Sequence, residues 1–241
     1  MRTRLAAKIG PVLIGAAALT MLVGLAGCGS DLGPDIHPGS AAVVGDVDVS
    51  FDEVDDYAND LCAWQEPSME QEGLAWPMSY VKAVAVDSIV DDLLTRQFAE
   101  EKGYKPATGY KQAMASIKTD AAAAKLPAQV RETVLAFRGR EVYHQAVMVT
   151  AGLADLAGQG KTADQAGALQ RGEELFAEWR KTAEVSLDPR FGTVTGEALD
   201  YAPPADPLSV TVSDLAKRAA AGQNDKEYAE SLPASQRCGG D

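Results

Sequence analysis

The sequence predicts a mostly α-helical bundle with a small β-sheet, the sheet formed by an N-terminal hairpin and a strand that follows the last long helix. Three observations predict it. Apolar residues make up 46% of the chain but aromatics only 6%, a balance that suits alanine-rich helices, because alanine packs closely and has the highest helix propensity. Apolar positions recur at helical spacing through most of the chain between Val86 and Ala183. β-Branched runs of strand length stand at Ala41–Val49 and Val185–Leu187.

Taken in order, Ala41–Val49 holds two short runs around Gly45-Asp46, where glycine at the first turn position permits positive φ and so a hairpin. Ser50 and Glu53 then form a capping box, with Val49 and Val54 placed for a hydrophobic staple. The helix that starts there is expected to pass Tyr57 and Leu61 and to be broken by Pro67 and the Gly73–Pro77 segment. In the next helix Val86, Ile89, Val90, Leu93, Leu94 and Phe98 share one face, with Gly103 as its stop. A shorter helix carries Met114 and Ile117 towards Ala124. A long one follows from Ala128 to Ala157, in which Leu135, Val142, Ala146, Val149, Leu153 and Leu156 form a packing seam. Thr162 and Gln165 make a second possible capping box before the helix of Leu169, Phe176 and Trp179. Val185–Leu187 is the late strand, and Ser213 can cap a last short helix ending near Gly222.

The N-terminus carries Arg2, Arg4 and Lys8, then an uncharged stretch from Pro11 to Gly27 that is too short and too rich in glycine and alanine for a good membrane span. It closes on Leu25, Ala26, Gly27 and Cys28, which resemble the lipobox of bacterial lipoproteins at every position. The resemblance implies cleavage after Gly27 and lipid attachment at Cys28. An ordinary signal peptide cut nearby, or an uncleaved anchor, would leave the four-residue match unexplained. Multiple acyl chains make such an anchor durable, since each buried methylene contributes roughly 0.8 kcal/mol. The expected location is the extracytoplasmic face of the cell membrane, held by lipid.

Residues 29–40, with Gly29, Ser30, Gly33, Pro34, Pro38 and Gly39, lack an apolar period and read as a tether. The expected organisation is residues 1–27 as signal peptide, 28–40 as lipidated N-terminus and flexible tether, 41–195 as a helical domain with a small sheet, and 196–241 as an extension with a short helix and loose tail. Removing residues 1–27 takes away three basic side chains and no acidic one, so the net charge of −13 becomes −16. That argues against nucleic acid as a partner. Cys62 and Cys238 are the expected disulfide in a compartment where disulfides persist, the alternative being a buried Cys62 and a free Cys238 thiol.

Catalytic and cofactor signals are sparse. The histidines are His37, in the tether, and His144, expected at the surface or between helices, so a hydrolase triad or a histidine metal site would rest on His144 alone. Asp46, Asp48 and Ser50 begin like a calcium loop, but Phe51 stands where glycine must turn and Tyr57 where a bidentate glutamate is needed. The sequence carries no GxxxxGK[ST] or GxGxxG loop. No enzyme activity, metal or cofactor is expected.

Ala42-Val43-Val44-Gly45-Asp46-Val47-Asp48-Val49-Ser50-Phe51-Asp52-Glu53-Val54, the helix ending Glu101-Lys102-Gly103-Tyr104, and Val185-Ser186-Leu187-Asp188-Pro189-Arg190-Phe191-Gly192 together resemble the N-terminal chaperone module of SurA-type and PrsA-type extracytoplasmic foldases. The resemblance covers residues 41–195 and implies that the late strand joins the early hairpin while the helices form a cradle for unfolded polypeptide. No inserted parvulin domain is recognisable, so prolyl isomerase activity is not implied. The expectation is a non-catalytic holdase for secreted or unfolded polypeptides, its cradle lined by Val90, Leu94, Phe98, Phe137 and Trp179. The alternative is an envelope assembly or adaptor lipoprotein that binds one folded partner.

Overall fold

The structure, a computed structural model, describes residues 39–191, 193–195, 198–200, 213–220 and 226–240. The expected signal peptide, lipobox and lipidation site Cys28, together with His37 and the expected tether up to Pro38, lie outside the described residues.

The early hairpin is present as β1 (Ser40–Val44) and β2 (Val47–Ser50), so ordered pairing begins one residue inside the expected tether. Gly45 sits at φ 56°, the turn geometry that its position implied. The late strand β4 (Val185–Leu187) pairs antiparallel with the free edge of β1, giving the order β2-β1-β4. Ala42 thus lies opposite both Val49 and Leu187.

Ser50 ends the hairpin and opens α1 (Phe51–Glu72), its hydroxyl accepting the Glu53 amide at 3.1 Å. Val49 and Val54 are both buried, as a staple requires. One expectation is corrected here: α1 continues through Pro67 and stops at Gly73, which takes φ 61°. Proline at this position removes the amide that would bond to Ala63, yet tertiary packing outweighs the loss: Met69 is buried beyond it and the Leu74 amide caps the helix by donating to Met69 O at 2.8 Å.

β3 (Ala75–Pro77) leads into α2 (Met78–Lys102), which ends at Gly103 with φ 71°. Then come α3 (Tyr110–Ala123), α4 (Ala128–Gly158) and α5 (Gln165–Arg180). The cap of α5 is Asp164, whose Oδ1 accepts the Gly167 amide at 2.8 Å, and not Thr162. An ionised carboxylate beside the positive end of the helix dipole is the stronger cap. After β4, a 3₁₀ turn at Pro189–Phe191 buries Phe191 against the Phe51 ring at 5.9 Å. β5 (Thr193–Thr195) and β6 (Ala198–Asp200) pair with each other.

Near the C-terminus, α6 (Asp214–Ala220) is capped by Ser213, followed by α7 (Lys226–Ser231) and β7 (Arg237–Gly239). β7 pairs with β3, placing Cys238 opposite Trp76, and Cys238 is joined to Cys62 of α1 with Cα atoms 5.6 Å apart. The expected tail is therefore tied down over residues 226–240, through an element pair that the sequence did not suggest.

α2 runs through the middle of the core. α1 and the sheet cover one side with Val54, Ala58, Val44 and Val49, and α4 and α5 cover the other with Val147, Met148, Ala151 and Phe176. α4 and α5 approach each other closely at Gly152 and Gly172. A Cβ on Gly152 would run into the Ala168 backbone, and one on Gly172 into the Met148 backbone, so neither position tolerates a side chain.

Candidate functional site

The five expected cradle residues are not brought together. Val90 and Leu94 are 0% exposed and Phe98 is 2% exposed. Phe98 is closed in by Tyr104, Phe176 and Trp179, each with ring centroids 5.4 Å away. The three side chains are core, which corrects their assignment to an open cradle: periodicity identified their face as apolar, and α1, α4 and α5 cover it. Trp179 is half-buried at the edge of this cluster, its indole N–H donating to Glu101 Oε2 at 2.7 Å. Phe137 lies elsewhere, edge-on to Trp64 at 6.1 Å. It lines a small pocket of about 140 Å³ with Trp64, Trp76 and Tyr80, against the Cys62–Cys238 bridge.

The larger opening is a groove of about 500 Å³ between α3, α4 and α5, lined mainly by Tyr110, Ala113, Val142, Val149, Leu153 and Leu169. Its volume is within the range of ligand pockets and suits a short apolar segment. Leu153, 45% exposed, stands out of it. The groove lies along the α4 seam, where Ala146 and Val149 are buried as a packing seam requires, Val142 is half-buried and Leu153 is exposed. The buried face of α4 also includes Val130, Val134, Val147, Met148 and Ala151.

Beside the groove, His144 bridges three helices. One ring nitrogen, Nδ1, is 2.7 Å from Thr95 Oγ1 and 3.4 Å from Asp91 Oδ2. The other, Nε2, is 3.1 Å from Glu173 Oε1, and the ring meets Phe176 edge-on at 5.2 Å. Burial favours the neutral imidazole, but the Glu173 hydrogen bond and the charges of Asp91 and Glu173 outweigh it, and the His144 pKa is raised above the ordinary histidine value. Burial likewise raises the pKa of Asp91, against the opposing charges of His144 and Arg180. The order hydroxyl, imidazole, carboxylate matches that of a hydrolase triad. Thr95 is 0% exposed, however, and no substrate can reach its hydroxyl in this conformation.

Asp48 and Ser50, the would-be calcium ligands, are engaged otherwise: Asp48 accepts the Ser40 hydroxyl at 2.5 Å and Ser50 caps α1. Among the described residues no group of three or more His, Cys, Asp or Glu side chains is placed to hold a metal ion, and no helix is long and apolar enough to cross a membrane. Comparison with known protein families, with curated proteins and with solved structures finds no match.

Proposed function

We propose that this chain is a lipid-anchored extracytoplasmic lipoprotein that acts as a non-catalytic holdase of the SurA/PrsA type, binding apolar segments of unfolded or exported polypeptides. The observation that carries the reading is the α3–α4–α5 groove, whose wall is mainly apolar and which holds Leu153, with Val47 one of two large hydrophobic side chains exposed among the described residues. Two further features support it. The late strand β4 joins the early hairpin around a mostly helical middle, as the resemblance implied. The net charge of −16 after loss of residues 1–27 favours apolar segments flanked by basic residues. Anchoring at Cys28 would hold the groove where exported chains emerge.

The closed core favours a second reading, an adaptor that grips one partner, because Val90, Leu94 and Phe98 offer no broad apolar cradle. Two measurements separate them. A several-fold excess of the chain from residue 29 onward should suppress aggregation of an unfolded client, and Leu153→Lys should abolish this; no suppression by the unaltered chain rejects the holdase. A photo-crosslinking amino acid replacing Leu153 in cells should then capture many clients, whereas one recurrent adduct identifies an adaptor.

A further inference from the structure

We propose that His144 is a pH-operated latch: carried on α4, as imidazolium it ties the C-terminal half of α5 to α2, and as neutral imidazole it holds that half less tightly, loosening the same helix whose N-terminal half lines the groove. This regulation rests on the groove being the binding site.

The device follows from how α5 is divided. α5 meets the α4 backbone closely at Ala168 and again at Gly172. On the N-terminal side Gln165 and Leu169 line the groove. Beyond Gly172, Phe176, Trp179 and Arg180 meet α2, while Glu173 meets His144 of α4. The groups around the ring come from every helix packed there. α2 supplies Asp91, Thr95 and, behind Asp91, Asp87; α5 supplies Glu173 and Arg180. One turn back on α4, Arg140 is occupied by Asp92 at 3.5 Å and by the Tyr57 ring at 4.7 Å.

In the charged form both ring N–H groups donate, Nε2 to Glu173 and Nδ1 to Thr95 with Asp91 alongside, so one cation serves two carboxylates on two helices. In the neutral form Nε2–H can still donate to Glu173, and the Thr95 hydroxyl can turn to donate to bare Nδ1. The charge is what is lost. Asp91 and Glu173 then face an uncharged ring, and Arg180, 3.9 Å from Asp91, is the cation that remains at the cluster. Because the folded-state pKa lies above the ordinary histidine value, the clamp is complete below about pH 6.5 and is lost as the pH rises through the raised value.

Hydrogen exchange of the full chain, followed by mass spectrometry in detergent from about pH 5.5 to 8.5, tests this when expressed as protection factors, which remove the intrinsic pH dependence of exchange. Protection over residues 173–180 should fall several-fold across the histidine titration, while residues 54–61 of α1 stay unchanged. His144→Gln should remove the dependence, and Glu173→Gln should move its midpoint to lower pH. Constant protection of α5 in the unaltered chain, a dependence that survives His144→Gln, or a midpoint unmoved by Glu173→Gln would each overturn the latch; the last decides the matter if His144→Gln does not fold. Exchange reports on α5 whether or not the groove binds polypeptide, so failure of the latch and failure of the holdase reading are distinguishable.

Discussion

The two sides of this helical domain solve the same packing problem with different residues. Around α2, bulky side chains such as Phe98, Leu94 and Val90 interlock with α1, the sheet and α5 and leave no opening at their level. Between α4 and α5 the contact residues are small: Gly152 and Gly172 let the two helices touch backbone to backbone at Ala168 and Met148, and Val142, Val149 and Leu153 line the groove beside them. Large residues close a core by filling space, and small ones by removing it. A corner built the second way has fewer side chains with which to seal its rim, and there the groove opens.

The comparison can be broken most severely on the bulky side. Phe98→Ala should cost about 3–5 kcal/mol, because it leaves a cavity among Tyr104, Phe176 and Trp179, and should show as a lowered urea midpoint. A paired Cys62→Ser and Cys238→Ser change should cost about 2–5 kcal/mol and make residues 226–240 susceptible to limited proteolysis, since the bridge spans a sequence separation of 176. On the small-residue side, Gly172→Ala should cost about 1–3 kcal/mol, as overpacking does, with the loss of protection centred on α5. A calorimetric midpoint equal to that of the unaltered chain would show that α4 and α5 have room to move apart. The smallest stability effect belongs to Leu153→Lys, within about 0.5 kcal/mol by denaturation, while its effect on client binding should be the largest of the set.

What could be read from the sequence divides along the same line between local and non-local causes. The hairpin, the Ser50 cap, the Gly103 stop and the extent of α4 follow from residues within a few positions of each element, and the structure places all of them as expected. The continuation of α1 past Pro67 and the β3–β7 pair depend on Met69 and Cys238 meeting partners far along the chain, which no local pattern encodes. The site divides similarly. Periodicity marks both the α2 face and the α4 seam as apolar, but only the positions of the covering helices decide that the first is sealed and that the second is covered at Ala146 and Val149 and exposed at Leu153. The sequence leaves His144 either at the surface or between helices; the structure puts it between helices, with partners Thr95, Asp91 and Glu173 that spacing cannot name.

The placement of β1 has a mechanical consequence. Any tension transmitted through the segment ahead of Ser40 enters the domain at the first residue of β1, which is flanked on both sides by antiparallel neighbours. A pull along the strand axis loads both ladders together in shear, with the bond from the Asp188 amide to Ala41 O sharing the force. A pull across the axis would peel the same bonds one at a time. The central position of β1 thus makes this end of the domain resist traction most strongly in one direction.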